Sequence, residues 1–411
     1  MADDPTAEES PRAEGVALVL AGGGARGAYQ AGVLAELIPE LERRGEREVI
    51  LSGASVGSIN AVHLAATRHL GAQESVERCL ELWKSLRFRD VMRPVLREGL
   101  PLTVLRYMAE AFAVPGFRLQ GLFDAGPLED TLNRLIDWDA VHESIESGPI
   151  EALSVMTTAV RTGQVTSFTD SKDDELDLDD QDVRYVAGRV TVDHVRASAA
   201  IPLVFAPIRV DEPEAGRGWY VDGSTRLQSP LEPAVLLGCD RILAIGCSDL
   251  VQRAADPMES DMDDPDMADG AVNALEGLLG DRIVADIRDL ATKNRLSQIP
   301  AVNEMRREEG RREWEEIPWA FVAPSEPGEV GRLAYRCFRE RYASPRGLLR
   351  ASDLPLIHRF TGGESPLQGE LLSLLMFDEE FAEESIKLGR RDAKRWLEAE
   401  PDLWRSVPLG L

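Results

Sequence analysis

Two glycine-containing turns near the start of the chain hold residue types that can carry out acyl transfer. The apolar run VALVL at residues 16–20 opens into AGGGARG at residues 21–27, a turn that can direct several backbone N–H groups at one point. A second apolar run at residues 49–51 leads into GASVG at residues 53–57, the G-x-S-x-G pattern of a nucleophile elbow. A reactive Ser55 beside free N–H donors would be equipped to stabilise the oxyanion of acyl transfer.

Each turn also has a simpler interpretation. Ser55 can serve only as the N-cap of the helix that follows a tight turn. The glycines of the first turn match the G-x-G-x-x-G pattern of dinucleotide-binding folds. That pattern needs an acidic residue at the end of the next strand, to bind the ribose hydroxyls, whereas this strand ends in LSG at residues 51–53. The residues that favour a serine nucleophile therefore disfavour a nicotinamide-binding protein.

A serine nucleophile needs a general base. His63 lies about two helical turns beyond Ser55 and should point away from it, and no histidine has a loop setting typical of a triad. The histidines are His63, His69, His142, His194 and His358. Asp222, which follows a predicted strand at residues 219–221, offers a carboxylate base instead. An Asp-Gly pair is also common in ordinary turns, so the residues alone leave both interpretations open.

Four sequence blocks occur here in the order found in the patatin-like phospholipases, and the chain resembles the bacterial members of that family. The blocks are GGGARG at 22–27, GASVG at 53–57, ASAAIP at 197–202 and DGS at 222–224. With the strand that precedes them, they span residues 16–224. The last block departs from the usual D-G-G or D-G-A, but Ser224 is also a small residue, so we expect the turn to survive.

The resemblance implies a Ser-Asp dyad in which Ser55 is the nucleophile and Asp222 the general base, within an elbow shaped by Gly53 and Gly57. It also implies an oxyanion hole in the glycine turn, made by Gly22, Gly23, Gly24, Ala25, Arg26 and Gly27. The implied reaction is hydrolysis of lipid carboxylic esters, of phospholipase A or lysophospholipase type. No metal and no organic cofactor are implied.

The same resemblance leaves other residues near the site with less defined roles. Arg26 either holds the glycine turn or attracts a lipid phosphate. Ser198 and Pro202 should shape the wall near the site rather than take part in the chemistry. The alternative from another functional class is a catalytically silent scaffold or lipid-binding module of the same fold. The presence of both Ser55 and Asp222 argues against that alternative.

Composition excludes some partners. The formal net charge of -26, from 72 acidic and 46 basic residues, disfavours nucleic acid and adhesion of the whole surface to anionic membranes. The four cysteines show no metal-ligand spacing and no disulfide framework, which is typical of reduced thiols in a cytoplasmic protein. No apolar run approaches the length of a spanning helix. The sequence thus favours a cytoplasmic protein, with peripheral membrane contact left open and its oligomeric state undetermined.

The elements that must position these residues are predicted from alternating apolar runs and helical stretches. They indicate an α/β fold, a three-layer α/β/α arrangement with a mainly parallel central sheet and helical additions. Predicted strands are 16–20, 49–51, 152–159, 164–169, 219–221, 241–247 and 319–323; predicted helices are 28–41, 56–67 and a closing pair within 371–396. The predicted organisation is an acidic tail at 1–14, a catalytic core at 15–250 and a mostly helical part at 251–411.

Three charged segments interrupt this pattern. Residues 84–118 are basic and apolar, and are expected to form either a cap over a lipid site or a membrane-facing helix, or else an ordinary helical pair packed on the core. Residues 170–182 and 256–269 are rich in aspartate. Neither has the ligand order of an EF-hand, so we expect solvated loops, with a cation site as the alternative.

Overall fold

A nine-stranded sheet forms the centre of the protein in the computed structural model. The structure describes residues 13–93, 123–173, 182–202, 204–223, 230–247, 283–311, 313–342 and 366–406. Within these ranges the strands are β1 Ala13–Leu20, β2 Glu48–Ala54, β3 Ala152–Ala159, β4 Val165–Ser171, β5 Val183–Ala187, β6 Ile208–Val210, β7 Gly218–Asp222, β8 Cys239–Ile245 and β9 Trp319–Val322. The sheet is confirmed as mainly parallel, because β1, β2, β3, β8 and β9 all run in the same direction.

Helices flank this sheet on both sides. In the described ranges they are α1 Gly27–Arg43, α2 Val56–Thr67, α3 Ala72–Ser85, α4 Phe88–Val91, α5 Gly126–Leu135, α6 Trp138–Glu146, α7 Val192–Ser198, α8 Leu231–Leu236, α9 Ile283–Ser297, α10 Pro300–Glu308, α11 Glu329–Arg341, α12 Pro366–Leu375 and α13 Glu379–Ala399. The N-terminal helices follow from their sequences, since apolar residues recur at helical spacing in α1 and α2.

Strand order explains where a site can form. The order is β5-β4-β3-β2-β1-β8-β9, with β7 pairing with β3 beyond the end of β2 and with β6 on its other side. Parallel β1, β2 and β8 therefore end at one edge of the sheet, at Leu20, Ala54 and Ile245. Loops that leave the carboxyl ends of parallel strands are the usual place for ligand sites in such sheets.

Two apolar cores lie on opposite faces of the sheet, which makes the fold a three-layer α/β/α sandwich. In β1, Leu18 and Leu20 contact the core beneath α1, α2, α11 and α13, whereas Ala17 and Val19 contact the core beneath α8 and α9. Successive residues of a strand point to opposite faces, so a strand buried on both sides must be apolar throughout. This requirement explains the uninterrupted run VALVL at the start of the fold.

The part of the chain beyond residue 250 is joined closely to the N-terminal part. Strand β9 extends the sheet by pairing with β8. Helix α13 lies against α1 at two glycine contacts: a Cβ atom on Gly32 would overlap the Ile386 carbonyl, and one on Gly389 would overlap the Tyr29 carbonyl. Tyr29 also donates a hydrogen bond from its hydroxyl to Asp392 Oδ2 (3.2 Å). The backbones of the two helices are in direct contact at these glycines, so the C-terminal helix α13 holds α1 in place.

The predicted strands and the helices predicted at 28–41 and 56–67 are confirmed within three residues at their ends, whereas the closing pair predicted within 371–396 spans 366–399. Strands β5 and β6, and most of the helices between α2 and α12, were not predicted. One prediction was wrong. Asp170 was expected in a solvated acidic loop, but it lies in β4, is buried, and accepts hydrogen bonds from Val190 N–H (3.1 Å) and, at Oδ2, from the His142 ring (3.0 Å). Burial raises the pKa of this carboxyl. Residues 174–181 of that segment, and the whole of 256–269, lie outside the described residues.

Candidate active site

The turn from β2 into α2 places Ser55 at the carboxyl edge of the sheet in a strained conformation. Ser55 has φ 53° and ψ −124°, and its side chain is 3% exposed. A positive φ is costly for a residue with a Cβ and is found mainly where function requires it. The flanking glycines make the turn possible: a Cβ atom on Gly57 would overlap the Leu20 carbonyl, and one on Gly53 would lie 2.5 Å from Gly57 backbone atoms. The tight turn between β2 and α2 therefore requires glycine at positions 53 and 57.

The register of the sheet brings Asp222 to the same place. Strand β4 occupies one side of β3 as far as Thr158, so β2 and β7 share the other side. Ala54 pairs with Met156, and Asp222 pairs with the next residue of β3, Thr157. The ends of β2 and β7 thus meet head to head, and Ser55 follows Ala54 directly. Asp222 is 1% exposed, so its carboxyl group is buried beside the elbow.

The end of α7 connects these two strand ends. Ser55 N–H donates a hydrogen bond to Ser198 Oγ (2.8 Å), and the Ser198 hydroxyl donates to the Met156 carbonyl (2.6 Å). Two residues later, the Ala200 carbonyl accepts a hydrogen bond from Asp222 N–H (2.9 Å). The third sequence block therefore connects the turn at Ser55, β3 and the strand that ends at Asp222. Sequence reasoning placed Ser198 near the wall of the site but missed this connecting role, which no local pattern indicates.

The glycine turn lies between the elbow and the end of β8, and neighbouring groups hold it tightly. Cβ atoms on Gly23, Gly24 and Gly27 would collide with Cys247, the Leu374 carbonyl and the Trp83 ring respectively. Gly24 also has φ +56°, a conformation that favours glycine. At each of these positions the turn leaves no room for a side chain. The backbone itself forms the surface that faces the elbow.

Hydrogen bonds inside the turn narrow the set of N–H groups open to a ligand. Arg26 N–H donates to the Gly23 carbonyl (3.1 Å), and Gly27 N–H donates to the Gly24 carbonyl. These two groups were included in the predicted oxyanion hole, but their hydrogens are engaged within the turn. Donors to an oxyanion are accordingly expected from the backbone between Gly22 and Ala25.

Arg26 holds the turn in place, and the alternative role of attracting a lipid phosphate is not compatible with its contacts. Its guanidinium group is buried and donates to Ser373 Oγ (2.7 Å), the Glu370 carbonyl (2.8 Å), Glu370 Oε2 (2.6 Å) and the Cys247 carbonyl (3.4 Å). A planar guanidinium that satisfies a carboxylate and three other acceptors has few donors left for a ligand. Glu370 and Ser373 belong to α12 and Cys247 follows β8, all far away in sequence, so local reasoning could not identify them.

A buried network of polar side chains holds the start of the glycine turn. Trp83 donates its indole N–H to Asn60 Oδ1 (2.7 Å), and Asn60 donates to Gln30 Oε1 (2.9 Å). Gln30 in turn donates to the Ala21 carbonyl (2.9 Å) at the start of the turn. A fully paired buried network of this kind adds rigidity, because any displacement would leave a polar group unsatisfied.

Ser55 opens into a small apolar cavity of about 30 Å³. The cavity is enclosed almost entirely by aliphatic and aromatic side chains. Its lining residues are Gly24, Ser55, Val56, Ile59, Leu86, Val91, Leu128, Ala199, Ile201, Phe205, Leu374, Leu375 and Phe377. An apolar pocket beside a buried serine is suited to a hydrocarbon group rather than to a sugar or a nucleotide.

No histidine lines this cavity within the described ranges. His63 lines a separate cavity at the far end of α2, as expected from its spacing, and burial lowers its pKa to about 4. Burial likewise lowers the pKa of His194 to about 4, while its ring nitrogens bond to Thr191 and the Glu212 carbonyl. His358 lies outside the described residues. The rings of His63 and His194 therefore both lie outside the lining of the cavity beside Ser55.

The basic segment at 84–118 is described only as far as residue 93. Arg87 pairs with Glu379 (2.7 Å), and Arg93 pairs with Asp124 (3.1 Å). Leu86 and Val91, from the same stretch, line the cavity beside Ser55. The start of this segment is thus part of the site's surroundings, and its remainder lies outside the described residues. None of the helices in the described ranges combines the length and apolarity needed to cross a bilayer.

Comparisons with known proteins identify the family of this chain. The model of the family described as patatin-like phospholipase matches residues 18–235. A search of curated proteins finds no significant match. Among solved structures, the chain is similar to VipD from Legionella pneumophila, with 13% sequence identity, a TM-score of 0.35, and coverage of 95% of this chain and 67% of that one. The family model covers more than half of the sequence and all four blocks through the aspartate strand, so the chain belongs to the patatin-like phospholipase family.

Proposed function

We propose that this protein is a serine acyl hydrolase that cleaves carboxylic esters of lipids, of phospholipase A or lysophospholipase type, through a Ser55-Asp222 dyad. The observation that carries the proposal is the head-to-head meeting of β2 and β7 on β3, with a strained Ser55 after one strand end and a buried Asp222 at the other. Membership of the family supports a lipid substrate.

In this mechanism the Ser55 hydroxyl attacks the ester carbonyl while Asp222 accepts its proton. The carbonyl oxygen becomes an oxyanion, stabilised by N–H groups of the glycine turn between Gly22 and Ala25. Collapse of this intermediate breaks the ester C–O bond, and the leaving alcohol takes the proton from Asp222. An acyl group remains on Ser55. Water then attacks the acyl-enzyme while Asp222 again accepts a proton. Collapse of this second intermediate breaks the bond between the acyl carbon and Ser55 Oγ, Asp222 returns the proton to Ser55, and the fatty acid is released.

The buried site suits this chemistry. Fixed backbone dipoles act more strongly where water is excluded, because the local dielectric constant is low. The turn is held at Gly24 and Arg26, so its N–H groups need little reorganisation during the reaction. The apolar cavity beside Ser55 supports an acyl group as the part of the substrate that enters the site.

The direct test compares Ser55→Ala and Asp222→Asn with the wild-type protein on a p-nitrophenyl acyl ester. We expect each variant to lose about 10³-fold or more in kcat, as for other nucleophile and base replacements. Ser154→Ala is a matched control, since Ser154 is also a fully buried serine in this sheet but does not line the cavity.

Labelling with a fluorophosphonate probe gives an independent readout. We expect wild-type protein to be modified at Ser55, as judged by mass spectrometry of the digested protein, and Asp222→Asn to be modified more slowly. Hydrolysis by Ser55→Ala at the wild-type rate would reject the proposal. Absence of both hydrolysis and labelling in the wild-type protein would favour a catalytically silent member of the family.

A further inference from the structure

The cavity beside Ser55 is closed on one side by a segment that lies outside the residues matched by the family model. Leu374, Leu375 and Phe377 line the cavity, while the family match ends at residue 235. We define residues 374–377, at the end of α12 and in the link to α13, as the acyl wall. The Leu374 carbonyl lies directly against Gly24 of the glycine turn. The acyl wall thus contacts the proposed oxyanion hole and the space next to it.

The acyl wall is anchored on its N-terminal side by Arg26. The guanidinium bonds to Glu370 and Ser373, both in the last two turns of α12, fix this helix against the glycine turn. Helix α12 also packs closely on α11, where a Cβ atom on Gly369 would lie 2.5 Å from the Gly331 carbonyl. The wall therefore has little freedom to move independently of the turn.

Its C-terminal side is anchored by Asp378. This carboxylate caps α13 by accepting a hydrogen bond from Glu380 N–H (3.0 Å). It also accepts hydrogen bonds from the Tyr342 hydroxyl (2.5 Å) and from Arg341 (3.1 Å). With anchors at both ends, the side chains of the acyl wall have fixed positions in the cavity.

The cavity that the acyl wall lines is small, so the side chains of this wall limit the size of the acyl group that can bind. A space of about 30 Å³ holds roughly two or three water-sized groups. An acyl chain of more than a few carbons extends beyond this space, so its fit depends on the size and position of the side chains that line the cavity. Leu374 is buried, whereas Leu375 and Phe377 are half-buried. All three belong to the lining segment whose backbone contacts Gly24 of the glycine turn, through the Leu374 carbonyl.

We propose that Leu374, Leu375 and Phe377 are the residues that determine which acyl-chain length this enzyme accepts. The inference rests on the proposed function, because it assumes that the acyl group of an ester occupies the cavity at Ser55. Trimming these side chains lengthens the accepted chain, and enlarging them shortens it. The chemistry at Ser55 itself does not involve them.

The test measures kcat/KM for p-nitrophenyl butyrate and p-nitrophenyl decanoate, both below their micelle concentrations. We expect Leu374→Ala and Phe377→Ala to raise the decanoate-to-butyrate ratio by about tenfold or more, since each accommodated methylene is worth about tenfold or more in a tight pocket. Leu375→Phe should lower the ratio. Leu388→Ala is the matched control, because Leu388 is a similarly buried leucine in α13 that does not line the cavity. Its ratio should stay within about twofold of wild type.

Two further measurements separate the possible failures. Thermal melting identifies variants that do not fold, and for those positions Leu374→Val and Phe377→Leu replace the alanine variants. Unchanged ratios in folded variants of an enzyme whose activity requires Ser55 would overturn the inference alone. Absence of Ser55-dependent hydrolysis and of fluorophosphonate labelling in the wild-type protein would overturn the proposed function, and the inference with it.

Discussion

Replacing Ser198 with alanine removes the side-chain oxygen that joins the turn at Ser55 to β3. In the wild-type protein Ser198 Oγ accepts a hydrogen bond from Ser55 N–H (2.8 Å) and donates one to the Met156 carbonyl (2.6 Å). Ser198 is fully buried, so water cannot replace either bond without a rearrangement of the site. The variant leaves one backbone donor and one backbone acceptor without this partner.

The expected magnitude follows from these two bonds. A buried polar group left without its partner costs about 1–3 kcal/mol, so losing both partners should lower the free energy of unfolding by roughly 2–6 kcal/mol. Activity should fall as well, because Ser55 loses a contact that holds its backbone in a strained conformation. A displacement of the nucleophile by about 1 Å is enough to reduce kcat by about 10²-fold.

Urea denaturation gives the change in stability, and steady-state hydrolysis of a p-nitrophenyl ester gives kcat and KM. Ser154→Ala is the matched control, because Ser154 is a fully buried serine on β3 whose hydroxyl bonds to Ser167 Oγ (2.6 Å). Ser167 Oγ retains a bond to Thr169 (3.0 Å) in that variant. We expect a loss of about 1 kcal/mol and an unchanged kcat for the control.

The result that would refute this reasoning is equal behaviour of the two variants. If Ser198→Ala is no less stable than Ser154→Ala and retains the wild-type kcat, Ser198 does not position the elbow. A loss of stability with an unchanged kcat would limit Ser198 to a structural role. A fall in kcat with an unchanged KM in the folded variant would support the positioning role.

Three further perturbations have expected outcomes. Gly24→Ala should lower the free energy of unfolding by more than about 1 kcal/mol and abolish most hydrolysis, because the new Cβ combines a positive φ with a collision at the Leu374 carbonyl. Thermal melting and the ester assay measure the two effects. A melting temperature and an activity near those of wild type would contradict the tight fit at Gly24. Glu370→Gln should lower the free energy of unfolding by about 2 kcal/mol in urea denaturation, since it removes the charge that neutralises buried Arg26. An unchanged urea midpoint would contradict a stabilising role for this ion pair. Because burial lowers the pKa of His63 to about 4, the unfolded chain binds the proton first as pH falls below about 6.5, and stability declines towards pH 4. His63→Leu should therefore lose about 3 kcal/mol less stability than wild type over this range, and parallel pH profiles would contradict that expectation.

Much of the local structure around Ser55 was predictable from adjacent residues. The apolar run at 49–51, the glycines at 53 and 57, and the helical spacing of 56–67 together specify a strand, a sharp turn and a helix. The structure has β2 Glu48–Ala54 and α2 Val56–Thr67 at these positions. These predictions succeed because backbone sterics and apolar periodicity act between near neighbours in the chain.

Sequence-based prediction failed where a residue's environment depends on distant elements. Asp170 occurs in a run of acidic residues typical of a solvated loop, but pairing of β4 with β3 and β5 buries it. Arg26 had two open roles until helix α12 was seen to supply its acceptors. The acyl wall likewise has no recognisable motif, because its leucines resemble any others in a buried helix.

The sequence by itself determined the strand-turn-helix units, the buried character of the central strands and the family that the four blocks indicate. Only the tertiary structure decided that the strand ending at Asp222 meets the end of β2, since this depends on β7 pairing with β3 one residue beyond the end of β2. It alone decided that Ser198 connects the two strand ends and that residues 374–377 close the cavity. The physical reason is that local patterns set backbone conformation, whereas the register and packing of distant segments arise from the collective burial of apolar surface and the pairing of buried polar groups.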